Sequence, residues 1–207
     1  MKATTTFLVM LLFAVMTCAT ASADTLIAGF ETDLDGFSAN DPNTVALGTT
    51  GVTEGSQALQ FTADGGFDFL LSSFPVLLTD PLNDTIKFDV TFNPDDLTTV
   101  TFAQVNFGIN SDGTVDPDNN FQFGPSAPVS IDGSTAAIEL NFADLPEFPL
   151  DGTQTFVELL LIVNTNDAAT GVWSFDNIRL HTTAVPEPSS LALIGGLGML
   201  GLLRRKK

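Results

Sequence analysis

The sequence predicts an all-β body, an antiparallel β-sandwich, and three observations predict it. Apolar residues in the middle of the chain alternate with polar ones at period two, the pattern of strands with one buried face. The alternating runs are short and are separated by Asp, Asn, Gly and Pro turns, and no segment carries a helical stripe. Eighteen of the 207 residues are Phe and none is Tyr, so most of the large apolar side chains suit a core.

Taken in order, residues 25–30 and 56–62 read as the first strands, and residues 66–74 as the next. Residues 85–92 give the clearest case: Ile86, Phe88, Val90 and Phe92 share one face, Lys87, Asp89 and Thr91 the other. Residues 104–110 repeat the pattern with Val105, Phe107 and Ile109, and residues 136–142 with Ile138, Leu140 and Phe142. Residues 155–163 are apolar almost throughout at their C-terminal end, which predicts a central strand covered on both faces. Residues 172–180 form the last strand. Asp132-Gly133 and Asp151-Gly152 are turn dipeptides, and no fixed-period repeat points to a solenoid or propeller.

The two ends of the chain are different in kind. At the front, Lys2 precedes a continuous apolar run over residues 7–15, and Ala21-Ser22-Ala23 has the small-x-small form that a signal peptidase cuts. Residues 1–23 therefore read as a signal peptide. Lipidation at Cys18, after Val15-Met16-Thr17, is the lesser alternative, because Thr17 stands where Gly, Ala or Ser is needed. Removal of residues 1–23 leaves no cysteine, so stability rests on a core rather than on disulfides.

At the back, Val185-Pro186-Glu187-Pro188 precedes an apolar run over residues 191–203 and the cations Arg204, Arg205, Lys206 and Lys207. Thirteen helical residues rise about 1.5 Å each and span roughly 20 Å. A hydrocarbon core is roughly 30 Å thick, so the run predicts a short, strained transmembrane helix, weakened further by four glycines. The terminal cations place its end on the cytoplasmic side and the body outside. Pro186 and Pro188 hold the motif extended, as a protease cleft requires.

Between these ends lie residues 24–184, one domain by length. They carry 24 acidic residues against Lys87 and Arg179, a net charge of −22. Such a body repels nucleic acid and anionic surfaces, and it favours solubility and divalent cations. Nothing marks catalysis. His181 is the single histidine, sits beside the linker to the tail and has no Ser or Cys assigned to it; no pair of carboxylates stands out from the rest.

Two family resemblances follow from these residues. The order of Val185-Pro186-Glu187-Pro188, short apolar helix and basic end over residues 185–207 resembles the PEP-CTERM sorting signal. That resemblance implies an exported protein, held briefly in the inner membrane and processed there by an exosortase for the cell surface or an extracellular polymer matrix. Signal peptidase and exosortase are the implied partners. The opening Gly29-Phe30-Glu31-Thr32-Asp33-Leu34-Asp35-Gly36-Phe37 and the ending Trp173-Ser174-Phe175-Asp176-Asn177-Ile178-Arg179-Leu180 are similar to galactose-binding-like and carbohydrate-binding-module jelly rolls.

The second resemblance implies a structural calcium near the paired first and last strands, with Glu31 and Asp176, and then Asp33, as its ligands; the plainer reading is that Glu31 caps a turn and Asp176 bonds backbone amides. It also implies extracellular polysaccharide as a partner, with Trp173 as core, rim or stacking platform. The acidic run over residues 110–120 reads as a solvated turn or a second cation loop. The function expected overall is a non-catalytic exported surface or matrix protein, the alternative being a calcium-stabilised carbohydrate-binding module.

Overall fold

The computed structural model describes residues 23–40, 42–74, 82–110, 121–145, 158–167 and 169–183. The signal peptide, the sorting tail with its helix, the loop over residues 111–120 and the Asp151-Gly152 turn lie outside the described residues. Among the described residues no helix is long and apolar enough to cross a membrane.

Period-two alternation becomes strand. The strands are β1 Ala23–Ala28, β2 Ser38–Ala39, β3 Thr44–Gly48, β4 Ala58–Ala63, β5 Phe67–Ser73 and β6 Asn83–Pro94, followed by β7 Ala103–Asn110, β8 Phe121–Phe123 and β9 Ala127–Pro128. Then come β10 Ala136–Asn141, a single 3-10 turn at Phe142–Asp144, β11 Glu158–Thr165 and β12 Gly171–Thr182. One sheet runs β10-β6-β12-β4-β3, with β1 added on β12; the other runs β2-β5-β11-β7-β8, with β9 added on β7. The pairings β10–β6, β6–β12, β12–β4 and β4–β3 are antiparallel, as are β2–β5, β5–β11, β11–β7, β7–β8 and β7–β9. The expected antiparallel sandwich is the observed one.

The core lies between the sheets. Ile86, Phe88, Val90 and Phe92 of β6 point into it, as do Val105, Phe107 and Ile109 of β7 and Ile138 and Leu140 of β10. Phe92 stacks on Trp173 with centroids 4.2 Å apart, Phe88 meets Phe175 at 5.8 Å, and Phe107 meets Phe142 of the 3-10 turn at 5.4 Å. Burying each such ring contributes roughly 1.5–3 kcal/mol, which is how a chain without disulfides holds its shape. β11 is central in its sheet, between β5 and β7, and Leu159 to Val163 are all buried, as an unbroken apolar run requires.

β5 departs from the simple reading. Its inward positions are Asp68, Leu70 and Ser72, and its Phe67, Phe69 and Leu71 face away from the other sheet. Aromatic out and acid in reverses the usual order, and the reason appears when the outer face of this sheet is considered.

Candidate functional site

Four strands of the second sheet share an outer face whose composition is not that of a solvated surface. In register, Leu71 of β5 lies beside Leu160 of β11, Gly108 of β7 and Phe123 of β8. The next row is Phe69, Ile162 and Asn106, the next Phe67, Asn164 and Gln104, and at the opposite end Ser73, Glu158 and Asn110. Leu160 and Ile162 are only 2% and 1% exposed although they point away from the inter-sheet core. Rings cover them: Phe67 and Phe123 meet edge to face with centroids 6.5 Å apart, and Phe67 also contacts Phe69 at 6.5 Å.

These rings are themselves accessible, Phe67 at 55% and Phe123 at 46%. Gly108 makes room for one of them, since a Cβ there would lie 3.0 Å from the Phe123 ring. Accessible rings thus overlie a buried aliphatic layer, with the amides of Gln104, Asn106 and Asn164 in the neighbouring rows, and this face is the candidate cleft. Glu158 adds one carboxyl. Burial pushes it above the usual carboxylate range, with Asn110 Nδ2, 3.5 Å from Oε2, pulling the other way. The two cations of the body stand elsewhere, on the first sheet: Lys87 pairs with Asp24 at 3.6 Å and Glu139 at 3.4 Å, and Arg179 pairs with Glu54.

Trp173 has no part in this cleft. It is 0% exposed and sits in the core against Phe92, so of core, rim or stacking platform its place is the core, and it offers no ring face for stacking. The ring faces that a ligand can reach belong to Phe67 and Phe123, which the inward reading of the phenylalanines passed over. His181, beside the linker in sequence, belongs to β12 and is half-buried, with Nδ1 2.5 Å from Asp24 Oδ1.

The expected calcium ligands occupy the first sheet and its covering loop. Glu31 Oε1 accepts from Ser56 N at 2.9 Å and Oε2 from Ser56 Oγ at 2.8 Å, bonds that hold its carboxyl below the usual range. Asp176, fully buried, accepts from Thr53 N at 2.7 Å, Glu54 N at 2.9 Å and Asn177 N at 2.8 Å. Glu31 and Asp176 thus grip one loop, residues 53–57, from two sides. Asp33 does not join them; its Oδ1 caps Asp35 N at 2.8 Å.

A residue the sequence did not single out does join. Asp89 of β6 lies directly opposite Asp176 in register, and both carboxylates reach Thr53 Oγ1, at 2.6 and 3.0 Å. One hydroxyl carries one proton, so it cannot donate to both. Asn177, at φ 57° on the β12 bulge, adds a buried Oδ1 with no partner among the described residues. Hard oxygens in excess of protons suit a calcium ion. Among the described residues, however, no group of three or more His, Cys, Asp or Glu side chains converges on one point. Any ion held here would complete its shell with backbone oxygens and water.

Comparison with known proteins adds two findings. The model of the PEP-CTERM protein-sorting motif matches residues 184–207. The chain carries that motif. No curated protein sequence matches the chain. Among solved structures, the CBM22-1 xylan-binding domain of Xyn10C from Paenibacillus barcinonensis is 16% identical with a TM-score of 0.52, over 80% of this chain and 99% of its own. A family 11 carbohydrate-binding module from Clostridium thermocellum, in complex with a β-1,3-1,4-mixed-linked tetrasaccharide, is 17% identical with a TM-score of 0.52, over 81% and 99%. A module specific for non-crystalline cellulose is 16% identical with a TM-score of 0.53, over 75% and 93%. At such identities the likeness is one of fold: the body is a β-sandwich of the carbohydrate-binding-module type.

Proposed function

We propose that this chain is an exported, non-catalytic surface or extracellular-matrix protein, sorted through its C-terminal motif by an exosortase, whose sandwich binds polysaccharide in the cleft on the second sheet. The observation that carries the binding part is the outward-facing row Leu71–Leu160–Gly108–Phe123 with Phe67 leaning over it. Apolar ring faces set beside side-chain amides are what a sugar needs, because its C–H faces pack on rings while its hydroxyls exchange hydrogen bonds with amides. Neutral polysaccharide is the class proposed. The cleft presents no cation among the described residues, and a body of net charge −22 repels uronate or sulfate polymers.

On this reading signal peptidase cuts after Ala23, residues 24–184 form the exported body, and residues 185–207 hold it in the inner membrane until exosortase acts at Val185-Pro186-Glu187-Pro188. Arg204 to Lys207 remain cytoplasmic until then. A calcium ion, if the Glu31 and Asp176 side supplies its shell with Asp89, would neutralise facing carboxylates and fasten the covering loop; it has no catalytic part.

Affinity electrophoresis of the full chain through gels loaded with xylan, mixed-linkage glucan, cellulose derivatives or alginate tests the binding part. Retardation by a neutral polymer and none by alginate is expected; free migration in every gel overturns it and leaves the plain matrix protein. The sorting part is tested by Pro186→Ala with Pro188→Ala in a host that has an exosortase. Accumulation of an unprocessed, membrane-held product is expected, and unaltered processing counts against it.

A further inference from the structure

One row of the second sheet's outer face carries apolar groups at its two ends and amides in its middle. Register runs Phe67 of β5, Asn164 of β11, Gln104 of β7 and Pro128 of β9 straight across four strands. Three strand spacings of about 4.8 Å make that row roughly 14 Å long. Phe67 is exposed, and Pro128 is exposed between Ala127, packed on the core, and the buried Val129. β2 pairs with β5 only at Leu70 and Leu71, and β9 pairs with β7 alone, so among the described residues both ends of the row are sheet edges.

The two amides are unspent. Asn164 and Gln104 are half-buried, and neither side chain makes a hydrogen bond among the described residues. Asn166, two residues on, is fully used: its Oδ1 accepts from Thr101 N at 2.8 Å and Thr101 Oγ1 at 3.1 Å, and its Nδ2 donates to Thr99 O at 2.7 Å. Those bonds fix the entry to β7. Phe102 follows directly, 41% exposed, and alternates outward because Ala103 and Val105 lie in the core. Two residues before Gln104, it is a diagonal neighbour of Asn164, about 7–8 Å away and within reach of a ring. Neither this row nor the next, Phe69, Ile162 and Asn106, has a charged side chain, although the body carries 24 acidic residues.

We propose that this row is the subsite that sets specificity. A neutral polysaccharide lies along it, across the strands, with sugar faces on Phe67 and Pro128, hydroxyls on the amides of Asn164 and Gln104, and a further sugar on Phe102. The inference rests on the polysaccharide reading above and narrows it to these contacts. An amide both donates and accepts, as a hydroxyl does, so two free amides discriminate between sugars that turn a hydroxyl towards the row and sugars that turn it away. The open ends admit the interior of a polymer as well as its terminus. Charge disfavours a basic protein partner, which is drawn to the acids elsewhere on the body and gains nothing from an uncharged row.

The test is calorimetric titration of the full chain in detergent with xylan and mixed-linkage glucan, and with the disaccharide, tetrasaccharide and hexasaccharide from each. The proteins are the wild type, N164A, Q104A, F102A and E139Q. Expected is a loss of affinity of about three- to tenfold in N164A and in Q104A, on polymer and hexasaccharide alike. F102A should lose as much on the hexasaccharide and nothing on the disaccharide, and E139Q, on β10 of the other sheet, should match the wild type. Melting temperatures should stay level, since none of the altered side chains is buried. Unchanged affinity in both N164A and Q104A overturns the row and leaves the rest of the outer face as the binding site. A loss in F102A that is absent, or equal at every length, overturns the path along the row. No binding by the wild type to either polymer removes the polysaccharide reading itself, and this inference with it. A wild-type protein dimer that F102A splits, seen by light scattering without glycan, gives the row to a second copy and overturns it too.

Discussion

Phe67 on β5 and Phe123 on β8 meet edge to face at 6.5 Å although β11 and β7 separate their strands and four residues of register separate their rows. Neighbouring strands lie about 4.8 Å apart, so in a flat sheet these rings could not touch. The sheet must curl, with its outer face concave. Curvature is what turns a row of outward Phe and Leu from an exposed apolar patch into a cleft.

Phe67→Ala and Phe123→Ala should each weaken binding to a neutral polysaccharide about tenfold, the loss of one aromatic contact of roughly 1–1.5 kcal/mol. Both rings are about half exposed, so the melting temperature should move little, and titration calorimetry beside a thermal melt separates the two effects. Loss of fold without change in affinity would remove the cleft from the account.

Trp173→Ala should do the opposite. Its ring is fully buried on Phe92, and deleting it should destabilise the fold by about 3–5 kcal/mol in a denaturant titration, with affinity retained by the molecules that remain folded. Trp173→Phe should cost much less than the area lost suggests, because the indole Nε1 is buried without a partner among the described residues and the change removes that unmet donor.

How much of this was legible differs from element to element. β6, β7, β10 and β12 follow from period-two runs of large apolar residues because the inter-sheet core admits one face only. β2, β8 and β9 have two or three residues each, too few to show a period, and β3 offers only Val45 and Leu47, both partly buried. The cleft was hidden for a different reason. Alternation gives two faces but not which one points in, and in β5 the more apolar face, Phe67-Phe69-Leu71, points out. A legible sign existed: the opposite face carries Asp68 and Ser72, unusual company for a buried face. The resemblance brought Glu31 and Asp176 forward as calcium ligands; their common hold on residues 53–57 was not expected, nor was the part of Asp89, which only register sets against Asp176.

That register yields a prediction. Like charges directly opposite in an antiparallel pair are destabilising, by up to about 1 kcal/mol. In EGTA, Asp89→Asn should therefore stabilise the body by a few tenths to about 1 kcal/mol, whereas Asp176→Ala, which strands the amides of Thr53 and Glu54, should destabilise it by about 2–3 kcal/mol. Denaturant titrations measure both. If a calcium ion sits between these carboxylates, Asp89→Asn should also blunt the rise in stability on adding CaCl2; an undiminished rise would remove Asp89 from any ion site.

The turn at Asp132 has its own acid dependence. Its Oδ1 accepts from Ser130 Oγ at 2.6 Å and Ser134 N at 2.9 Å, and these bonds lower its carboxyl from 3.8 to about 2. A lowered carboxyl contributes stability that is fully present above the unfolded value of 3.8 and is lost as pH falls through about 2. Asp132→Asn should therefore narrow its deficit against the wild type across that window, read from denaturant midpoints at pH 5, 3 and 2. A constant deficit would mean that the turn does not depend on the charge.

Asp68 has the opposite sign. Burial and the neighbouring Asp64 carboxylate raise it above 3.8, so below 3.8 the group is protonated in both states and adds no penalty. Above 3.8 the unfolded chain releases the proton first, the folded chain holds it longer, and stability falls with rising pH until the folded value is passed. In EGTA, then, Asp68→Asn, which never ionises, should gain on the wild type as pH climbs from 4 to 7. Denaturant midpoints of both proteins at pH 4 and pH 7 give the comparison. A wild-type curve parallel to Asp68→Asn would show that Asp68 is not raised.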